Sequence, residues 1–259
     1  MVFKCGIVGL PNVGKSTLFN ALTKKISAEA ANYPFCTIEP NEGTIPVPDE
    51  RINILSNIAG SKETIPTSLT FYDIAGLVKG ASKGEGLGNK FLSHIREVDA
   101  IIHVVRCFDD ENISHVNNEI NPIDDIETIN TELILSDLEL LEKIKSGLEK
   151  KSKSGDEDSL KKVAASEMLI KHLGNGNQVI SFSGLEEIKE IIKEFNLITN
   201  KPVLYVCNVD EGSISSGNRF TKELNDKINQ ELIIISADIE SQIASLNTDE
   251  QKEYISSIG

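Results

Sequence analysis

The chain has only four cysteines and no long apolar run, and both observations limit the classes of protein to which it can belong. The four cysteines form no C-x-x-C pair, and three of them lie in apolar, strand-like runs where a buried free thiol is expected. Such usage suits a reducing cytosol. No apolar run approaches the roughly 20 residues needed to span a bilayer. We therefore expect a soluble, cytoplasmic protein with no signal peptide and no membrane contact.

Positive charge is scarce as well. There are 26 Lys and Arg against 40 Asp and Glu, which gives a net charge of −14 over 259 residues. Such a surface repels phosphate backbones, so any nucleic-acid contact needs a local basic patch. The one candidate is the stretch 143–162, with seven lysines and four acidic residues. A charged, solvated turn explains this excess almost as well, and both interpretations stay open.

Short β-rich runs alternate with helical patterns along most of the chain. This alternation is typical of an α/β fold in which helices cover both faces of a mostly parallel sheet. One short strand, at 44–47, is expected at an edge of the sheet, because Pro46 and Pro48 have no backbone N–H to donate to a neighbouring strand. Helices are predicted at 15–24 and 89–97. The other strands are predicted at 2–8, 69–73, 100–106, 202–207 and 232–236.

A different pattern begins near residue 127. A polar tip at 150–158 is followed by a second helical pattern from Leu160, and a third helix is predicted to start at Ser183 through a capping box with Glu186. We predict a helical hairpin inserted into the α/β domain, with packing of these helices on the sheet as the alternative. The predicted domain boundaries then give the first part of the α/β domain at 1–126, the helical insertion at 127–198 and the last part of the α/β domain at 199–259. Apolar residues at steps of three and four mark the first helix face: Ile134, Leu138, Leu141, Ile144 and Leu148.

The segment from Gly9 to Ser16 fits the phosphate-loop pattern G-x-x-x-x-G-K-[ST], between a predicted strand and a predicted helix. Its glycines let backbone N–H groups form a nest for phosphate oxygens, and the helix adds its positive dipole end. Lys15 can bridge the β- and γ-phosphates, and Ser16 can offer a hydroxyl to Mg²⁺. A glycine-rich turn with an exposed lysine is the alternative. The nucleotide-binding residues of this loop are Asn12, Val13, Gly14, Lys15, Ser16 and Thr17.

Two further segments complete a predicted Mg²⁺ and γ-phosphate site. The sequence D-x-x-G ends the next core strand, so the Asp73 carboxylate is expected to hold Mg²⁺ and the Gly76 N–H to meet the γ-phosphate. Thr37, in the proline-bracketed loop 33–40, is expected to complete the Mg²⁺ coordination through its hydroxyl. An ordinary loop threonine is the alternative for Thr37.

The base is expected to be bound where the strand at 202–207 ends. Guanine-specific relatives have N-K-x-D there, whereas this chain has Val209 for the lysine and Glu211 for the aspartate. The extra methylene of Glu211 weakens a bidentate pair with guanine, and the amide of Asn208 suits the N6/N7 edge of adenine. The residues alone leave adenine and guanine near even. The predicted base-binding residues are Asn208, Val209, Glu211, Ser236 and Ala237.

Together these motifs resemble the YchF (Obg-like ATPase) subfamily of the P-loop GTPases. The resemblance rests on five segments: 9–16, 34–41, 73–81, 84–89 and Asn208-x-x-Glu211. It implies a Ras-like G domain with a coiled-coil insertion, a preference for ATP over GTP, Mg²⁺ as cofactor, and association with the ribosome or ribosomal RNA. Family members continue into a C-terminal β-grasp TGS domain, which this sequence lacks. We expect a monomer.

The position that orients the attacking water is unusual. Many GTPases have a glutamine just after D-x-x-G, and this chain has Leu77, which makes no hydrogen bond. Turnover is then slow, or another group places the water. Besides Lys15, His115 is the candidate catalytic residue, and a solvated loop histidine is the alternative. Asn12 could help to bind K⁺ in place of an arginine finger, or could be a turn residue.

The residues and the resemblance together leave three candidate functions. The first is an ATPase that hydrolyses the β–γ bond and acts as a translation-associated switch. The second is a GTPase of the Obg type, which competition between ATP and GTP would distinguish. The third is a nucleotide-binding scaffold with negligible turnover, which Leu77 favours and which single-turnover hydrolysis would test.

Overall fold

The structure is a computed structural model that describes residues 2–29, 38–39, 41–74, 87–110, 113, 120–228 and 230–258. Within these ranges one seven-stranded sheet has the order β2-β3-β4-β1-β5-β6-β7. The expected α/β architecture is confirmed. The strands are β1 (Phe3–Val8), β2 (Ile38–Glu39), β3 (Glu42–Pro46), β4 (Ser68–Asp73), β5 (Ala100–Arg106), β6 (Val203–Asn208) and β7 (Leu232–Ile235).

The central strand β1 pairs in parallel with both β4 and β5. Ile7 and Val8 are both fully buried. Because successive strand residues point to opposite faces, both faces of the sheet are covered at this point. The carboxyl ends of parallel strands lie along one edge, where α/β proteins bind their ligands.

The strand expected at 44–47 is β3, which pairs antiparallel with β4 along its whole length. On its other side, the two-residue strand β2 pairs only with Glu42 and Gly43. Among the described residues, the stretch 44–46 therefore has a partner strand on one side only, which agrees with its expected place at an edge. Pro46 is the last residue of β3 and lies opposite Ser68, so its missing N–H is tolerated where the ladder ends.

Nine helices lie within the described ranges. The sequence pattern gave no prediction for α2, because none of its residues is buried and no core contact sets an apolar stripe. Its start is set locally, where the Asp49 carboxylate accepts from the Arg51 N–H at 3.0 Å. The helices are α1 (Lys15–Glu29), α2 (Glu50–Ala59), α3 (Leu87–Glu97), α4 (Pro122–Lys153), α5 (Glu157–Gly174), α6 (Lys189–Phe195), α7 (Arg219–Lys227), α8 (Ala237–Ile243) and α9 (Thr248–Ile258).

The predicted helical hairpin is confirmed as α4 and α5, which lie between β5 and β6 in the chain. Gly155 makes the connecting turn with φ +87°, a conformation that glycine adopts without strain. Leu138 and Ile144 of the predicted face pack partly buried against a separate core. That core consists of Ile134, Leu141, Leu169, Leu173, Val179, Ile192, Phe195 and Leu197.

Some charges of the stretch 143–162 are paired. Acidic residues 156–158 lie at the start of α5, and Lys151 and Lys153 lie at the end of α4. Helix dipoles favour these signs at these ends, which agrees with a charged, solvated turn. Contact of this stretch with RNA stays a prediction. Three lysines form ion pairs: Lys143 with Glu139, Lys145 with Glu167, and Lys162 with Asp158 and Glu194.

The third predicted helix is present as α6, but its predicted start at Ser183 through a capping box is wrong. A short 3-10 helix spans Glu186–Ile188 without a side-chain cap, and α6 follows from Lys189. The Glu186 carboxylate accepts from Lys189 Nζ at 3.1 Å instead of bonding a backbone N–H at residue 183.

By compactness the chain separates into two units, of which the second combines α3 with Ile123–Val203. Within it, Arg96 of α3 donates to the fully buried carboxylate of Asp137 at 2.8 Å. Asp137 also accepts from the Thr199 N–H at 2.8 Å. These contacts anchor α3 to the helical insertion. The division at 126/127 and 198/199 stays a prediction.

Candidate nucleotide site

The phosphate loop joins β1 to α1, and its backbone requires two of its glycines. Gly9 has φ +153° and Gly14 has φ +98°. A Cβ at Gly9 would overlap the carbonyl oxygen of Val104, and one at Gly14 would overlap the side-chain amide of Asn208. Asn12 has φ +61°, which agrees with its role as a turn residue; the K⁺ role stays a prediction.

The loop presents backbone donors at the start of α1. The first helical bond runs from the Leu18 N–H to the Gly14 carbonyl at 2.9 Å. The N–H groups of Lys15, Ser16 and Thr17 precede it and have no acceptor within the helix. Helix N-termini with such free donors bind anions, and the arrangement therefore fits a phosphate.

Lys15 is the buried cation of the loop. Its side chain is 6% exposed, and its Nζ donates to the Leu10 carbonyl at 2.7 Å. The alternative of a glycine-rich turn with an exposed lysine is therefore wrong. Burial lowers the pKa of Lys15 to about 8, although the charge of Asp73 opposes the shift.

Nucleotide binding should depend on pH because of this lowered pKa. A triphosphate bound at Lys15 would favour the charged ammonium, so affinity should be full well below pH 8 and should be lost as the pH rises above it. We expect ATP to bind about tenfold more weakly at pH 9 than at pH 7.5, and a proton to be taken up on binding near pH 8. Calorimetric titration in two buffers of different ionisation enthalpy counts that proton. An affinity that stays level from pH 7.5 to 9 would contradict this pKa.

Asp73 ends β4 and has a buried carboxylate oxygen. Among the described residues, its buried Oδ1 has no hydrogen-bond partner, while its backbone N–H donates to Asn41 O at 2.9 Å. An unpaired buried carboxylate oxygen is costly unless a cation or water meets it. Ser16 is exposed in the first turn of α1. Carboxylate and hydroxyl oxygens are the ligands Mg²⁺ accepts, so both residues fit that ion.

Asn208 connects the phosphate loop to the turn after β7. Its Nδ2 donates to the Val13 carbonyl at 3.0 Å, and its Oδ1 accepts from the Ala237 N–H at 2.9 Å. The side chain is 5% exposed. The expected base contact is not tested by these bonds, but they give Asn208 a role in holding the site together that the sequence pattern did not indicate.

The other predicted base-binding residues lie at the same sheet edge. Val209 is buried and donates its N–H to Ile235 O at 2.8 Å. Glu211 is exposed at the start of a 3-10 helix. Ser236 caps α8, and Ala237 is its first residue. Their contacts with a base stay a prediction.

Four of the predicted residues lie outside the described residues: Thr37, Gly76, Leu77 and His115. Within the described ranges, no group of three or more His, Cys, Asp or Glu side chains is arranged to hold a metal. No helix in those same ranges has both the length and the apolar character to cross a bilayer.

Comparison with known proteins agrees with this geometry. Residues 4–137 match the protein family described as 50S ribosome-binding GTPase. The ribosome-binding ATPase YchF of Bacillus subtilis is 49% identical over 264 residues, which cover 100% of this chain and 72% of the relative. That of Escherichia coli O157:H7 is 48% identical over 261 residues, with the same coverage.

A solved structure gives the same relationship. The structure of the Schizosaccharomyces pombe YchF GTPase superposes with a TM-score of 0.82 at 37% identity, and the match covers 99% of this chain and 71% of that one. Sequence, phosphate loop and three-dimensional structure therefore agree, and the chain belongs to the YchF family of P-loop nucleotide-binding proteins.

Proposed function

We propose that this chain is an Mg²⁺-dependent ATPase that hydrolyses the β–γ phosphate bond and acts with the ribosome as a nucleotide switch. The observation that carries the proposal is the buried Lys15 within the glycine-shaped loop. The bacterial relatives are named ribosome-binding ATPases, which supports both parts of the proposal. A monomer in the cytoplasm, in contact with the ribosome or its RNA, is part of the proposal.

The residues of the site each have a proposed role in binding Mg²⁺ or phosphate during hydrolysis. When bound, Mg²⁺ neutralises charge on the β- and γ-phosphate oxygens. Asp73 and Ser16 would hold it, and Lys15 leaves the Leu10 carbonyl to bind phosphate oxygens. Catalysis in this class comes mainly from positioning and electrostatic stabilisation, which a preformed loop provides. We retain His115 as the proposed group that places the water, and K⁺ bound through Asn12 as the alternative.

ATP rather than GTP is the proposed substrate because the bacterial relatives are named ATPases and because the aspartate of N-K-x-D is replaced by Glu211, whose extra methylene weakens a bidentate pair with guanine. A GTPase is the second candidate, favoured by the names of the matching family and of the fission-yeast structure. Single-turnover hydrolysis with each nucleotide at equal concentration tests both. We expect faster turnover of ATP. Faster turnover of GTP would establish the second candidate, and the absence of turnover with either would establish the scaffold.

Asp73→Asn should weaken the dependence of the site on Mg²⁺. The amide keeps the shape but loses the charge, so we expect the Mg²⁺ concentration for half-maximal hydrolysis to rise roughly 10–100-fold. Hydrolysis is measured at pH 7 or below, because loss of the Asp73 charge also removes the interaction that raises the pKa of Lys15. Asp226→Asn makes the same chemical change at an exposed site on α7 and serves as the control. An unaltered Mg²⁺ requirement in Asp73→Asn would remove this residue from the metal site.

Ribosome association is tested separately by co-sedimentation. We expect the chain to pellet with ribosomes to a different extent with ADP and with a non-hydrolysable ATP analogue, because a switch binds its partner differently in its two states. Equal pelleting with both nucleotides would contradict the switch, and no pelleting would contradict the ribosomal partner.

A further inference from the structure

Two acidic residues follow one another where β6 leads into the expected base site. Asp210 and Glu211 are both exposed, and either carboxylate could accept hydrogen bonds from the amino edge of a base. The structure distinguishes them by their contacts. Asp210 bonds within its own turn, whereas Glu211 begins the 3-10 helix Glu211–Ser213.

Asp210 and Ser213 are joined by hydrogen bonds of both side chain and backbone, and we call this pair the latch. Ser213 Oγ donates to the Asp210 carboxylate, at 2.9 Å from Oδ1 and 3.0 Å from Oδ2. The backbone repeats the contact, because the Ser213 N–H donates to the Asp210 carbonyl at 3.1 Å. Aspartate and serine make such local bonds in place of regular structure, and the two contacts fix the turn that carries Glu211 and Gly212 between them.

The residues on the other side of Glu211 are fixed as well. The Asn208 amide bonds to Val13 and Ala237, and the Val209 N–H donates to Ile235 O at 2.8 Å. Downstream, the Gly217 N–H donates to the Ser213 carbonyl at 2.9 Å. Glu211 therefore stands on a backbone that is held at both ends, with its own side chain exposed.

We propose that Asp210 and Ser213 are a positioning pair that sets the selectivity between ATP and GTP by fixing the backbone from which Glu211 meets the base. The inference rests on the proposed function, since it needs a purine nucleotide at this site. A carboxylate discriminates between bases through the direction and distance of its hydrogen bonds. A turn that is free to move lets Glu211 accept from the amino groups of either purine, and selectivity falls.

The test compares variants that break the latch with variants that keep it. Asp210→Ala and Ser213→Ala remove one partner each, while Asp210→Asn and Ser213→Thr retain an acceptor and a hydroxyl. Dissociation constants are measured for ATP, GTP and inorganic tripolyphosphate, which has no base. We expect the two breaking variants to lower the ATP-to-GTP affinity ratio roughly two- to tenfold, the value of one hydrogen bond. The double alanine variant should lose no more than either single one.

The retaining variants should keep the wild-type ratio, and tripolyphosphate affinity should be the same in all proteins. Three results would overturn the proposal: an unchanged ratio in both alanine variants, a loss in Asp210→Asn as large as in Asp210→Ala, or an equal fall in tripolyphosphate affinity. The second would mean that the charge of Asp210 acts directly. If wild-type protein bound neither ATP nor GTP, or bound them equally, the proposed ATP specificity would fail instead.

Discussion

Lys15→Ala is expected to lower the affinity for ATP by roughly 100-fold or more. The variant removes the buried cation of the phosphate loop, whose Nζ lies 2.7 Å from the Leu10 carbonyl and is placed to move to the phosphates. No other lysine or arginine belongs to residues 9–17. The loss is measured by calorimetric titration with ATP and with tripolyphosphate, and both affinities should fall together.

The fold should survive this change. Burial lowers the pKa of Lys15 to about 8, so below pH 8 the folded state holds an ammonium that it disfavours relative to the unfolded chain. This destabilisation is relieved only as the pH rises from about 8 towards the ordinary lysine pKa. Lys15→Ala removes the charge altogether, so we expect the free energy of unfolding at pH 7 to stay level or to rise.

Lys24→Ala is the matched control, because Lys24 lies on the same helix and is exposed. It should bind ATP as the wild-type protein does. Unchanged ATP affinity in Lys15→Ala would refute the nucleotide site, whereas a lower free energy of unfolding would show that Lys15 is held by contacts stronger than its bond to Leu10.

The phosphate loop could be predicted from sequence because the residues that define its motif are neighbours in the chain. Gly9, Gly14 and Lys15 act through the backbone of their own turn and the first turn of α1, and a fixed spacing describes them. The hairpin was predictable for a related reason. Its apolar residues Ile134 and Leu141 repeat at helical spacing and enter one core.

Other features left no such pattern. α2 has no buried residue and therefore no apolar stripe, and a 3-10 helix without a side-chain cap stands where the capping box was predicted. Contacts between distant parts of the chain leave no pattern either. The bond from Asn208 to the Val13 carbonyl joins residues 195 positions apart. Only the fold brings β6 beside the phosphate loop, so the sequence indicated Asn208 as a base contact and missed its contact with the loop.

Asn208→Leu is expected to lower both stability and nucleotide affinity by large amounts. The substitution keeps the volume but leaves the Val13 carbonyl and the Ala237 N–H without their partner, in a site where Asn208 is 5% exposed. A buried backbone group without a partner costs about 1–3 kcal/mol, so the free energy of unfolding should fall by about 2–5 kcal/mol. Urea denaturation measures this loss, which a domain of ordinary stability survives.

The effect on binding separates Asn208 from the latch at Asp210. Because Asn208 holds the phosphate loop itself, its loss should weaken ATP and tripolyphosphate alike, by at least about tenfold, whereas the latch variants should alter only the choice of base. Asn53→Leu makes the same chemical change at an exposed position of α2 and should alter neither quantity. If Asn208→Leu kept its tripolyphosphate affinity and lost only ATP, Asn208 would act on the base alone, and the loop would hold its shape without the bond to Val13.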